Sequence, residues 1–353
     1  GVLSQTTEDE VVVYSKGSFD ISQLVLDDVE RGTTHDVDRV KLETNPKSAL
    51  EGADYIFCTY PAFLRKDFLV SCGDHIKDDA VICFMPGYGG AEYACASLVR
   101  RGVTVIGFQR VPFVARQENR RIASLLSRKD MLYVASIPTE CKESVFDDIA
   151  RFLGIPVTRL RHYLPVTLAP SNPLLHLTGL YNVFKDWQPG ITYDRQLMFY
   201  EEWNDETSEM LLRYDDELQS ICSALPFDLR EVVSLREYYE SPTAEAMTRK
   251  LKSIKAFEVV KVPLLLEKGS YVPDFESRMF VEDYPFGIVI IKSFANMVGL
   301  LTPTIDTLLE FYRDKTGIQY FDSDGNPTDE IANTGAPMNF GLTSIEAIRD
   351  FYS

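Results

Sequence analysis

A chain of 353 residues with 45% hydrophobic content has enough apolar side chains for one large core or two domains. Its 36 basic residues stand against 53 acidic ones, a net charge of −17. That balance argues against nucleic acid or anionic membrane as a standing partner, so an anionic small-molecule substrate has to be gathered by local arginines. The six cysteines (Cys58, Cys72, Cys83, Cys95, Cys141, Cys222) form no C-x-x-C pair and no zinc-type spacing with the four histidines. No apolar run approaches the ~20 residues of a membrane span, and the first residues lack the basic and apolar regions of a signal peptide. A cytoplasmic protein with reduced thiols and no metal is expected.

The first third alternates short β-branched runs with helical patterns. VVVYS (11–15), VKLETN (40–45), DYIFCTYP (54–61), AVICFMPG (80–87), VTVIGFQ (103–109) and MLYVASIP (131–138) are nearly continuous apolar runs, which suit a parallel sheet covered on both faces. Between them, DFLVSCGDHI and AEYACASLVRRG have helical apolar spacing. The alternation predicts an α/β fold of Rossmann type, a doubly wound parallel sheet, over residues 1–165. In such a sheet ligands bind outside the carboxyl ends of the strands. The loops TYPAF and, after 85, PGYGG are therefore the natural ligand crevice, with Thr59, Tyr60 and Pro61 as candidate cofactor contacts.

From about Ser171 long helical patterns take over: LLHLTGLYNVFKDW, RQLMFYEEWNDETSEMLLRYDDELQSICSAL, SPTAEAMTRKLKSI, GIVIIKSFANMVG and TIDTLLEFYRDKT. A mostly α-helical domain is expected over 166–353. The boundary is placed in HYLPVTLAPSNP, whose three prolines suit neither a strand nor a helix. DSDGNPTDE has its glycine too early for a calcium loop and reads as a turn. YDDE (214–217), on a long helix, reads as a solvated face.

A dinucleotide-binding sheet begins with a strand, a G-x-G-x-x-G turn and a helix that holds the pyrophosphate. Here Val2 to Glu8 reads as the tail of that helix and VVVYS as the second strand, so the first strand and the glycine-rich turn are expected upstream of Gly1. At the end of the second strand an acidic residue would receive the ribose 2′-hydroxyl of NAD; Ser15 and Lys16 stand there, which leans toward NADP over NAD.

The stretch RMFVEDYPFGIVIIKSFANMVG (278–299) places an arginine and an aspartate five residues apart, before a helix too apolar to be solvated. Pro285 suits a first helical turn, which puts Asp283 at the helix entrance, and Gly299 suits the C-terminal cap. Asp283 could simply stabilise the helix N-terminus. It could equally serve a histidine. Asn172 followed by Pro173 reads as a cap and first position, with His176 in the first or second turn of the helix that follows.

GADYIFCTYPAF (52–63), AVICFMPGYGGAEYAC (80–95), GFQRVPFVAR (107–116), NPLLH (172–176), RMFVEDYPFG (278–287), TPTID (302–306) and the GIQYFDSDGNP…MNFGLTSIEAI segment together resemble the opine dehydrogenase family, the octopine and nopaline dehydrogenase group. The resemblance runs from about Val11 to near the end. It implies reductive condensation of an α-keto acid with an amine, usually an amino acid, by a reduced nicotinamide cofactor. It further implies that His176 and Asp283 work as the acid–base pair and that Arg278 clamps the substrate carboxylate. Proton transfer must accompany hydride transfer, and a guanidinium fork suits a carboxylate better than an ammonium does. Without the resemblance, Arg278 could equally form a surface ion pair with Glu276 or Glu282.

Two positions depart from the octopine-forming pattern. Tyr88 stands where those members carry glutamine, and Arg110 where they carry threonine. Both positions lie near the substrates in the family. They suggest an amine other than arginine, one with its own acidic group; a lining tyrosine and a surface arginine is the competing reading. At the level of function, the competing readings are a two-domain dehydrogenase acting on a keto or hydroxy acid without an amine, and a non-catalytic ligand-binding protein of the same fold.

Overall fold

β-Branched runs with few polar residues leave no broad polar face for a helix, and all six contain strands: Val11–Tyr14, Val40–Glu43, Tyr55–Cys58, Val81–Phe84, Thr104–Phe108 and Leu132–Ile137. The structure is a computed structural model that describes residues 1–17, 20–21, 24–119, 121–169 and 171–352. It divides into two compact units, Gly1–Gly87 with Ala94–Val166 and Tyr352, and Tyr88–Tyr93 with Thr167–Phe351.

In the first unit, Tyr55–Cys58, Val81–Phe84 and Thr104–Phe108 lie side by side in parallel, with Ile56 opposite Ile82 and Ile82 opposite Val105. All four residues of Val81–Phe84 are buried, as expected for a strand covered on both faces. Cys83, Ile106, Phe108 and Val134 pack with Ile149 and Leu153 of the Ser144–Leu153 helix to form the core.

The sheet is not wholly parallel. Leu132–Ile137 runs antiparallel to Thr104–Phe108 and parallel to Val157–Arg159 at the edge. The segment between the two antiparallel strands is no crossover helix but a hairpin, Phe113–Gln117 and Ile122–Arg128, and an antiparallel neighbour needs no crossover. The hairpin joins Val25–Asp28 and Thr33–Asp36 in a separate four-stranded sheet. These strands carry charge at many positions and lack the continuous apolar signal. Val11–Tyr14 pairs in parallel with Val40–Glu43 alone among the described residues.

The second unit is mostly helical, with its longest helices at Ser171–Phe184, Asp205–Ala224 and Pro303–Thr316. The long pattern that begins at Arg195 is helical only from Asp205. Asn204 caps that helix through its side chain, accepting from the Thr207 N–H at 2.9 Å. The aromatic residues before it fold into a cluster in which Tyr200 stacks on Phe257 at 4.3 Å and on Trp203 at 5.5 Å. HYLPVTLAPSNP is also more regular than its prolines suggest: Leu164–Thr167 forms one helical turn, with Pro165 in the first turn where its missing N–H costs nothing. Pro170 lies outside the described residues. DSDGNPTDE is a turn in which the Asp322 carboxylate accepts from the Asp324 and Asn326 N–H groups. Among the described residues no helix is long and apolar enough to cross a membrane.

The YDDE stretch is not a solvated face. Tyr214 and Asp215 are buried, and the Glu217 carboxylate accepts from the N–H groups of Thr304 (2.7 Å) and Ile305 (3.0 Å), capping the Pro303–Thr316 helix from a distance. Two flanks of the Asp205–Ala224 helix are covered by other helices, so its polar residues are drawn inside. Burial pushes the Asp215 carboxyl up to about 6, against the Leu235 N–H that donates to it at 2.8 Å. The folded state thus retains a proton that the unfolded chain releases near ~3.9. Stability contributed by this proton is complete below the unfolded value and is lost as pH rises through about 6. Asp215→Asn keeps the acceptor and removes the charge. It should raise stability at pH 7–8 by on the order of 2–3 kcal/mol and change little at pH 4, as read from thermal melts at both pH values.

Candidate functional site

The site of the helical unit is built around a proline. Inside an α-helix Pro285 would remove one i→i−4 bond and collide with the preceding turn. The chain avoids this by widening: after the short helix Arg278–Val281 comes a π-helical turn, Tyr284–Ile288, with the Ile288 N–H donating to the Asp283 carbonyl at 3.1 Å, before Val289–Met297 continues as α-helix. Such wide turns recur at functional sites. Asp283 therefore sits within a continuous helical path rather than at its entrance, with φ −74° and ψ −27°, and its side chain caps no N–H. The helix-stabilising reading of this carboxylate does not describe what it does.

Its partner is the imidazole. His176 Nδ1 lies 2.7 Å from Asp283 Oδ2, although 107 residues separate them. The Ser171–Phe184 helix begins at Ser171, so Asn172 lies within its first turn rather than capping it, and His176 falls in the second turn. Close approach of the two elements depends on Gly287, where a Cβ would stand 2.5 Å from the Pro173 ring. Phe199 meets the imidazole edge-on at 5.8 Å. Burial raises the Asp283 carboxyl above the ordinary carboxylate range, while the charge and hydrogen bond of His176 pull the other way. With Nδ1 turned to the carboxylate, Nε2 is the nitrogen left to exchange a proton with a substrate.

Arg278, one turn before Asp283, forms an ion pair through Nε with the Glu282 carboxylate. The arginine side chain is 64% exposed and the glutamate side chain 4%. Among the described residues the Arg278 Nη groups have no hydrogen-bond partner. Tyr88 is buried and belongs to the same unit, near enough for its phenol to act on the Arg278 charge. His176, Asp283, Arg278 and Tyr88 are thus brought together in one unit. Glu282, which the sequence offered only as a surface-pair partner, joins them.

The remaining candidates belong to the sheet unit. Ser15 and Lys16 follow the Val11–Tyr14 strand at its carboxyl end; the Ser15 Oγ accepts from the Gly17 N–H at 3.3 Å and Lys16 is exposed. Thr59, Tyr60 and Pro61 follow Tyr55–Cys58, with the Tyr60 carbonyl accepting from Arg65 Nε at 3.3 Å and its ring against Phe68 at 5.8 Å. The hydroxyls and the ammonium of these two strand ends suit the ribose and phosphates of a dinucleotide, and neither Ser15 nor Lys16 is a carboxylate that would repel a 2′-phosphate. Arg110 follows Thr104–Phe108 and is half-buried. Among the described residues no cluster of His, Cys, Asp or Glu could hold a metal ion.

Residues 159–316 match the family described as NAD/NADP octopine/nopaline dehydrogenase, alpha-helical domain. Tauropine dehydrogenase of Arabella iricolor is 26% identical over 325 residues, covering 86% of this chain and 81% of that protein. A solved structure of octopine dehydrogenase with NADH and L-arginine superposes with a TM-score of 0.83 at 23% identity, over 99% of this chain and 93% of that one. Another, with NADH and pyruvate, gives 0.80 at 23% identity over 93% and 86%. The structural likeness is one of fold.

Proposed function

We infer that the chain is a member of the octopine and nopaline dehydrogenase family, which its residues 159–316 match, and that it reductively condenses an α-keto acid with an amino acid or other amine to give an opine-type secondary amine and catalyses the reverse oxidation. The observation that carries this reading is the His176–Asp283 pair with an outward arginine one turn away. The proposal assigns residues 1–165 to dinucleotide binding and 166–353 to the substrates, in a cytoplasmic enzyme.

The amine must shed a proton before its nitrogen attacks the keto carbon, and the carbonyl oxygen must gain protons to leave as water. His176 Nε2 serves both needs, and Asp283 holds the imidazole in one tautomer and supports its charged form. Arg278 binds the keto acid carboxylate. Ser15 and Lys16 would hold the adenosine ribose and Thr59, Tyr60 and Pro61 the neighbouring part of a bound NADH or NADPH, which would supply the hydride and leave as the oxidised cofactor. Lys16 and the absence of an acid beside it favour NADP.

The decisive assay follows the absorbance of reduced nicotinamide with keto acids and amines supplied singly and together. Oxidation that requires both supports the reading. Oxidation by keto acid alone would indicate a dehydrogenase without an amine substrate, and no oxidation by any pair would indicate a binding protein. A narrower reading rests on Tyr88 and Arg110: an amine with its own acidic group should be used in preference to arginine, and the opposite preference in the same screen would refute it.

Arg278→Lys keeps the charge and loses the fork. The KM for keto acid should rise about tenfold or more, with that for cofactor nearly unchanged. Equal losses for both would mark Arg278 as structural.

A further inference from the structure

An i,i+4 ion pair on a helix surface joins two exposed side chains and contributes little. The Arg278–Glu282 pair is different: its arginine is mostly exposed and its carboxylate is almost wholly buried. Burying a carboxylate is costly unless it is paired, and the Arg278 guanidinium supplies an ionic partner. The next residue repeats the arrangement, since Asp283 is also buried and also spends its carboxylate on a functional side chain, His176. Successive residues of a helical path point about 100° apart. Two adjacent acids can therefore serve two different groups from one short segment.

We propose that Glu282 is a positioning residue for carboxylate recognition, holding Arg278 by Nε so that its two Nη groups meet the substrate carboxylate already oriented. This rests on the reading of the substrate as a keto acid. A negative charge beside the guanidinium weakens its attraction for an anion, so the arrangement gives up some charge attraction and gains orientation. Charge and orientation can be separated by substitution. Glu282→Gln keeps an acceptor oxygen at the same reach and loses the charge, whereas Glu282→Asp keeps the charge and withdraws the acceptor by one methylene.

The test is calorimetric titration of the whole protein with pyruvate in the presence of NADPH and, in parallel, of NADH, for wild type, Glu282→Gln, Glu282→Asp and Glu282→Ala, beside steady-state kinetics. Positioning predicts that the Asp and Ala variants lose about tenfold in pyruvate affinity, equivalent to ~1.4 kcal/mol. The Gln variant should stay within about threefold of wild type, with kcat and cofactor KM little changed throughout. A purely electrostatic role predicts the reverse order, with Asp close to wild type and Gln furthest from it. That order, or equal loss in Gln and Asp, or no loss in either, overturns the inference. The Gln–Asp comparison decides even where the Ala variant does not fold. Because binding is read without turnover, pyruvate binding that no amine converts into oxidation defeats the proposed reaction and leaves the Glu282 comparison intact. Failure of wild type to bind pyruvate or any keto acid overturns both.

Discussion

His176→Gln should lower kcat by about 10²–10⁴, the span that a positioned acid–base group contributes, with KM for cofactor nearly unchanged. Glutamine can still donate a hydrogen bond to Asp283 and fills much of the imidazole's volume, so the change removes proton exchange while leaving the packing against Phe199 largely in place. The melting temperature should therefore move by little compared with the activity. An alternative in which the histidine only ties two helices together predicts the opposite: a lower melting temperature and a kcat reduced by less than about tenfold. Steady-state kinetics and a thermal melt on the same preparation decide between the two.

Asp283→Asn is expected to separate activity from stability even more clearly. The amide can donate its NH2 to Nδ1 and hold the imidazole in the wrong tautomer, which in the best-studied histidine–aspartate pair lowers kcat by about 10⁴. The sign for stability is the other way. Burial raises this carboxyl above its ordinary value, so the folded protein bears a cost for its charge that sets in as pH rises through the carboxylate range and persists above it. An amide carries no such cost. The variant should melt no lower than wild type at pH 7–8 and should lose any advantage at acid pH, where the native carboxyl is itself neutral. A fall in melting temperature matching the fall in activity would reduce Asp283 to a packing residue.

Fold was legible from the sequence where burial was complete. Strands such as Val81–Phe84 and Thr104–Phe108 are covered on both faces, and composition alone marks them. The hairpin of Phe113–Gln117 and Ile122–Arg128 was not legible, because a sheet with one face in water mixes arginine and serine with its apolar residues. Buried acids were missed for a related reason. Nothing in YDDE distinguishes a carboxylate that caps a neighbouring helix from one that faces solvent, since the partner N–H groups of Thr304 and Ile305 are 87 and 88 residues away. At the site, His176, Arg278 and Asp283 were named through family resemblance. The wide turn around Pro285 and the seating of Arg278 on Glu282 depend on how one segment packs against another, and only the folded chain displays them.

The six residues Tyr88–Tyr93 also change how the protein can be taken apart. They come from the sheet half of the sequence yet belong to the helical unit, where Glu92 is fully buried and accepts a hydrogen bond from the Thr167 hydroxyl. Gly90 and Gly335 pass so closely that a Cβ on the former would lie 2.3 Å from the carbonyl oxygen of the latter. A helical domain expressed from residue 166 onward would therefore carry a seam where this insert is missing. A chimera that exchanged the first 165 residues for those of a relative would import that relative's version of the insert, together with whatever stands in place of Tyr88. On the proposed assignment of Tyr88 to the amine and of the first 165 residues to the cofactor, the two preferences would be exchanged together unless these six residues were kept with their own helices.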